Sequence, residues 1–303
     1  MKNGAKWQDV DGKDIQAHGG CIVRFGELYY WYGEHKGAPN RPGKTEVDVI
    51  GVSCYTSRDL VNWKYEGLAL EADKDNPESC IHTSKVVERP KVLYSEKTGK
   101  YVMWMHLDNW DRTFPAAGVA TSDSPKGPFK LERAIFPNHQ DSRDMTVYTD
   151  DDGRSYLFHS SNRNKTMNIS GLNPELTDVD GSCVAVLVDQ EREAPAIFKK
   201  GGVYYMVSSG CTAWEPNSAL YARVENLLGK WKLIDNPCEG ENYRKTFFGQ
   251  SSYIFEVEGK FYLMLDHWKP NDLQSSGYSI LPIEVDERTS EITVPWQDEW
   301  LGV

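Results

Sequence analysis

A chain of 303 residues with 45 Asp and Glu against 34 Lys and Arg carries a net charge of −11, with a pI near 5.2. Phosphate contacts need clustered Lys and Arg, so nucleic acid and anionic membrane surfaces are excluded as partners and neutral ligands are favoured. No run of eighteen apolar residues could cross a membrane, and the cysteines and histidines show neither CxxC nor HExxH spacing, so no metal and no cofactor is expected.

Taken in chain order, the first predicted element is a hairpin entered at Gln16, with its turn at Gly26 and Tyr29 on the return strand. A weaker strand pair follows at Gly51–Tyr55, a Ser57-Arg58-Asp59 turn and Trp63. The second hairpin is entered at Glu88 and returns through Tyr101, followed by Gly118–Thr121 and Phe129. The third is entered at Asp144; its Asp150-Asp151-Asp152-Gly153 stretch is a turn, because the later Glu of a calcium loop is missing. Asn168-Ile169-Ser170 and Asn173-Pro174 follow. The fourth is entered at Glu193, with Ala219–Ala222 and Trp231 behind it, and the fifth at Gln250.

The five entry residues are 72, 56, 49 and 57 positions apart, a loose period of the length that marks blades or solenoid units. Short strands bounded by Asp, Asn, Gly, Ser and Pro, with almost no helical periodicity, read as all-β. Four strands per unit, repeated radially, predict a five-bladed β-propeller over residues 1–303 as a single domain. The apolar tail Ile292–Trp296 is expected to pair with the N-terminal segment and close the ring. Residues 1–12 lack the apolar stretch of a signal peptide, and a mature form of a secreted or periplasmic protein, monomeric, is expected. The six cysteines are expected mostly as buried free thiols, with room for one or two disulfides.

First strands of propeller blades line the axis, so the entry residues would face one another across a funnel. Any one of them alone reads as a solvated strand end. Glu88, Asp144 and Glu193 together make a carboxylate set in which crowding raises one pKa and leaves the others ionised. Glycoside hydrolysis requires such a set: an acid for the leaving oxygen and a group that activates water from the opposite face. Sugars also stack on flat apolar rings, and the loops after the second and fourth hairpins supply Trp110 and Trp214.

The strings Ile15-Gln16-Ala17-His18-Gly19-Gly20, Glu88-Arg89-Pro90-Lys91-Val92, Ser142-Arg143-Asp144-Met145, Glu193-Ala194-Pro195-Ala196 and Trp214-x-Pro216-Asn217 resemble the exo-β-1,3-galactanases of glycoside hydrolase family 43. The resemblance runs from about residue 14 to 285. It implies an inverting, exo-acting enzyme that removes galactose from the β-1,3-galactan backbone of type II arabinogalactan. It also implies Glu193 as general acid and Asp144 as the residue that orients it and modulates its pKa. Gln16 holds the place of the wider family's base Asp and cannot ionise, so it is expected among the substrate contacts. Glu34, Arg89, Asn164, Thr212 and Trp214 join it there by the same resemblance. Glu88 and Gln250 are left as alternative handlers of the water. The rival readings are an α-L-arabinofuranosidase or β-xylosidase of the same propeller family, or a propeller that binds carbohydrate without cleaving it.

Overall fold

The computed structural model describes every residue from Met1 to Val303. Each predicted hairpin is the inner half of a sheet. Blade one comprises β1 (His18–Phe25), β2 (Leu28–Glu34), β3 (Gly51–Ser57) and β4 (Lys64–Glu71); blade two comprises β5 (Val86–Ser95), β6 (Lys100–Asp108), β7 (Ala116–Ser122) and β8 (Lys130–Ile135). Blade three comprises β9 (Met145–Thr149), β10 (Ser155–Ser161), β11 (Thr166–Leu172) and β12 (Val179–Val186). Blade four comprises β13 (Arg192–Lys200), β14 (Val203–Gly210), β15 (Leu220–Val224) and β16 (Lys232–Leu233). Blade five holds β17 (Cys238–Glu239), β18 (Gln250–Val257), β19 (Lys260–His267), β20 (Gly277–Asp286) and β21 (Glu291–Pro295).

Two hairpins turn on Gly201-Gly202 and Glu258-Gly259, with φ of 58 and 79° and of 50 and 76°. Positive φ at both central residues is the turn whose twist matches the strands it joins. The inner strands β1, β5, β9, β13 and β18 each touch the next around the circle, so the ring is closed around an axis. Period-2 alternation then gives each sheet two apolar faces, one per neighbouring blade, and the core is divided into five clusters between blades.

The tail differs from expectation. β21 pairs antiparallel with β20 and parallel with β17, not with the N-terminal segment. Ile292 and Val294 belong to the core between blades four and five, and burying them requires the tail on that blade. The N-terminal segment instead docks on β20 through an Ala5–Tyr278 bridge, and Asn3 Nδ2 donates to the carbonyls of Ile280 and Gln297. Just past the tail, Lys2 pairs antiparallel with Glu299, and Trp7 packs with Trp31, Trp63 and Tyr278 between blades one and five, so pairing of the termini and packing both close the ring. All six cysteines are free thiols; Cys21, Cys54 and Cys238 are buried, Cys80 is half-buried, and Cys183 and Cys211 are exposed.

Candidate active site

At the entry end of the inner strands the ladder slips in the same way in three blades: between Glu88 and Lys91, between Glu193 and Ala196, and between His18 and Cys21. In each, the residue after the first is left-handed: Arg89 at φ 57°, Ala194 at φ 53° and Gly19 at φ 59°. The bulge re-aims Glu88 and Glu193 into the funnel, whereas His18 is fully buried against Asp266 and Tyr278. By this register the blade-one counterpart of Glu88 and Glu193 is His18, and Gln16 lies two residues short of it.

Left-handed non-glycine backbone costs on the order of 1–2 kcal/mol and needs a compensating hold. A carboxylate of the preceding blade supplies it each time. Gly19 N–H donates to Asp266 Oδ2 at 3.0 Å, Arg89 N–H to Glu34 Oε1 at 2.9 Å and Ala194 N–H to Asp144 Oδ2 at 3.0 Å. A Cβ on Gly19 would lie 2.1 Å from Glu34 Oε1, so any other residue there would be strained at its φ of 59° and would displace the carboxylate that holds the Arg89 bulge. Beneath the bulges the fully buried Lys91 donates to the carbonyls of Gly19 at 2.7 Å and Arg89 at 3.4 Å.

Arg89 forms the floor. Its Nη2 stands 2.8 Å from Asp144 Oδ2 and donates to Gln250 Oε1 at 2.7 Å, while Nη1 donates to the carbonyl of Ser251 at 3.2 Å. One guanidinium from blade two thus ties blades three and five together across the axis. Above it opens a cavity of about 250 Å³ whose wall includes Glu34, Glu88, Asp144, Glu193, Gln250, Trp214 and Trp268.

The carboxylates in this cavity have unlike environments. Burial and the neighbouring charge of Asp144 push Glu193 up to about 7, against the opposing pull of Arg89 and Gln250. Burial also acts to raise Glu88, but Arg112, Lys36, His106 and Arg89 outweigh it and hold that carboxyl down at about 2. Near neutral pH Glu193 is therefore partly protonated while Glu88 is ionised, the separation that acid–base catalysis needs. Because Asp144 raises Glu193, Asp144→Asn is expected to lower the pKa of Glu193. The alkaline limb of the kcat/KM–pH profile, expected near 7 for the wild type, should then move to lower pH; a limb that stays or rises would refute the coupling.

The sequence-predicted residues divide into those on the wall and those behind it. Glu34, Glu88, Arg89, Asp144, Glu193, Trp214 and Gln250 line the cavity. Asn164 stands beside Glu193, its Nδ2 donating to Oε2 at 3.3 Å. Gln16 is not on the wall: it is buried, with Nε2 donating to the carbonyl of Gln274 at 2.9 Å, as its register predicts. Thr212 holds its own loop together, donating to the carbonyl of Glu215 and accepting from Asn217 Nδ2. Trp110 faces a separate small recess behind Glu34 and Glu88, with the Arg41 guanidinium 5.6 Å above its ring.

Trp268 was missed by the sequence reading. Its ring meets that of Trp214 edge-on at 5.9 Å, and its Nε1 donates to Gln250 Oε1 at 3.0 Å. A signal existed, because Trp268 follows β19 as Trp110 follows β6. Lys36 and Arg112, from loops without periodicity, had none.

A family model for glycosyl hydrolases family 43 matches residues 17–272. Among solved structures, a family 43 β-1,3-galactosidase with galactodeoxynojirimycin is 36% identical, with a TM-score of 0.92 over 99% of both chains. The exo-β-1,3-galactanase of Phanerochaete chrysosporium with β-1,3-galactotriose is 32% identical, with a TM-score of 0.90 over 98% of this chain and 67% of that one. A xylan 1,3-β-xylosidase of Vibrio sp. is 25% identical over 281 residues, 82% of this chain and 50% of the relative. The chain spans about half the length of the curated relatives it matches.

Proposed function

The chain belongs to glycosyl hydrolases family 43, and we propose that within this family of glycoside hydrolases it is an inverting, exo-acting enzyme that releases galactose from β-1,3-galactan, the backbone of type II arabinogalactan. The observation that carries the chemistry is Glu193, half-buried and pushed up to about 7 beside Asp144 in a cavity floored by Arg89. A pocket closed at its floor favours a chain end over a mid-chain segment. The choice of sugar rests on likeness at 32 and 36% identity to structures that act on β-1,3-linked galactose.

In this reading the terminal galactose enters between the carboxylates, with Trp214 and Trp268 at the mouth offering ring faces to its CH groups. The proton of Glu193 passes to the glycosidic oxygen as the bond from that oxygen to C1 breaks. Water bonds to C1 from the opposite face and gives its proton to Glu88, which belongs to a blade not adjacent to that of Glu193. Asp144 and Arg89 are positioning residues: Asp144 holds the Ala194 bulge that aims Glu193, and Arg89 holds Asp144 and Gln250.

The test is proton NMR of β-1,3-galactobiose hydrolysis. α-Galactose is expected first, and β-galactose first would overturn inversion. A second reading, β-xylosidase, is favoured by the curated relatives of that name. A panel of galactoside, xyloside and arabinofuranoside substrates decides between them, with the galactoside expected to be cleaved fastest.

A further inference from the structure

Three tryptophans follow the second strand of their blades: Trp110 after β6, Trp214 after β14 and Trp268 after β19. One segment touches all three of their loops. It is the connection between β2 and β3 in blade one, residues 35–50, which supplies nothing but Lys36 to the wall of the funnel cavity.

The sequence of this connection makes it a finger. Arg41-Pro42-Gly43-Lys44 has Pro at the second place of a turn and Gly, at φ 70°, at the third, the residue pattern of type II, and Lys44 N–H closes the turn on the Arg41 carbonyl at 3.0 Å. Arg41 N–H donates to the Glu46 carbonyl at 2.8 Å, and Asn40 and Val47 pair antiparallel beneath it. Thr45 is thereby held at the tip.

Asn40 spends its amide on blade five, with Nδ2 donating to the Pro270 carbonyl at 2.8 Å and Oδ1 accepting from Leu273 N–H at 3.0 Å. Both partners belong to the loop that begins at Trp268. Arg41, its Nε donating to Asp48 Oδ1 at 2.9 Å, lies over Trp110 of blade two. Thr45 reaches furthest: its Oγ1 accepts from Trp214 Nε1 at 3.1 Å, from a blade that is not a neighbour of blade one in the ring. The bond therefore bridges the mouth of the funnel above blade five.

Trp214 is 39% exposed, and the bond to Thr45 is the one hydrogen bond its ring makes. An indole N–H only donates, so without the Thr45 hydroxyl the ring loses its polar tether. From that tether a path of contacts runs to the acid. Trp214 meets Trp268 edge-on at 5.9 Å, Trp268 Nε1 donates to Gln250 Oε1, and Gln250 Nε2 donates to Glu193 Oε1. Trp214 and Glu193 also belong to the same blade. The glycosidic oxygen takes its proton from Glu193, so the sugar that departs with that oxygen stands on this side of the funnel, beside the exposed ring.

We propose that Thr45 is a positioning residue for the leaving sugar: through it the blade-one finger fixes Trp214 as the platform against which the departing unit packs. The proposal rests on the glycosidase reading. Thr45→Val keeps the shape of the side chain and removes the acceptor, whereas Thr45→Ser retains it. Apparent affinity scales with the fraction of molecules whose ring is in place. KM of Thr45→Val on β-1,3-galactobiose is expected to rise about three- to tenfold, the scale of one lost hydrogen bond, with kcat unchanged. β-Galactosyl fluoride, whose leaving group is too small to reach Trp214, should keep both constants, and Thr45→Ser should restore KM on the disaccharide. A rise of KM on both substrates alike, a rise on neither, or a serine that restores nothing overturns the proposal.

A binding arm is independent of turnover. In the Glu193→Gln background, calorimetry is expected to show Kd for β-1,3-galactobiose rising by the same factor when Thr45→Val is added, while Kd for galactose stays. An unchanged Kd for the disaccharide overturns the platform whether or not the wild type cleaves galactan. A wild type that cleaves xylobiose and not galactobiose overturns only the assigned sugar, and xylobiose against xylose then decides the platform by the same criterion.

Discussion

Glu193→Gln is expected to lower kcat on β-1,3-galactobiose by about 10³- to 10⁴-fold, the scale of a lost general acid when the leaving group is a poor one. The substitution keeps the volume of the side chain and one oxygen for Gln250 Nε2, 3.0 Å from Oε1 in the wild type, but puts an amide nitrogen opposite Asn164 Nδ2, whose 3.3 Å bond to Oε2 is lost, so a small fall in melting temperature is expected. The catalytic loss is that of the transferable proton. A sugar alkoxide cannot leave without that proton, whereas 2,4-dinitrophenolate can, so the loss on 2,4-dinitrophenyl β-galactoside should be far smaller than on the disaccharide. The alkaline limb near pH 7 should vanish with the group that produces it. Turnover of the disaccharide near the wild-type rate would remove Glu193 as the acid.

The loose period of 49 to 72 residues and the position of each first hairpin were legible because turns and alternation are local properties. Glu88, Asp144, Glu193 and Gln250 were legible for the same reason, each marking the start of an apolar run. What was not legible depends on contacts distant in sequence. Counting back from the strand put Gln16 in the ring, but the bulge at Gly19 shifts the register and gives His18 that place. The bulge is held by Asp266, nearly the whole chain away. Arg89 could be named from its motif, yet its reach to blades three and five follows from a left-handed backbone that no residue type near it announces. The tail at 291–295 reads as a strand without naming its partner, and only the core between blades four and five decides it.

Glu88→Ala should lower kcat by about 10²- to 10⁴-fold, and azide should restore part of it, yielding α-galactosyl azide. Azide bonds to C1 in place of water and needs no base to remove a proton, and a shortened side chain leaves room for it. Gln250 is the other candidate, and its neighbours restrict it. Its Oε1 accepts from Arg89 Nη2 and Trp268 Nε1, and its Nε2 donates to Glu193 Oε1 and Ser209 Oγ. Arg and Trp side chains only donate, so the oxygen is fixed on their side and the residue is held as an ordinary amide with all four bonds filled. No acceptor is left on it for a water proton. Glu88 is ionised, and its contact with Arg112 Nη1 is a loose 3.5 Å, so a water can approach its oxygens. Gln250→Ala should also lower kcat, but by another route. Losing its hydrogen bond removes an influence that lowers the pKa of Glu193, so the alkaline limb should move to higher pH, and azide should not rescue. Rescue of Gln250→Ala by azide, with none for Glu88→Ala, would transfer water activation to the amide.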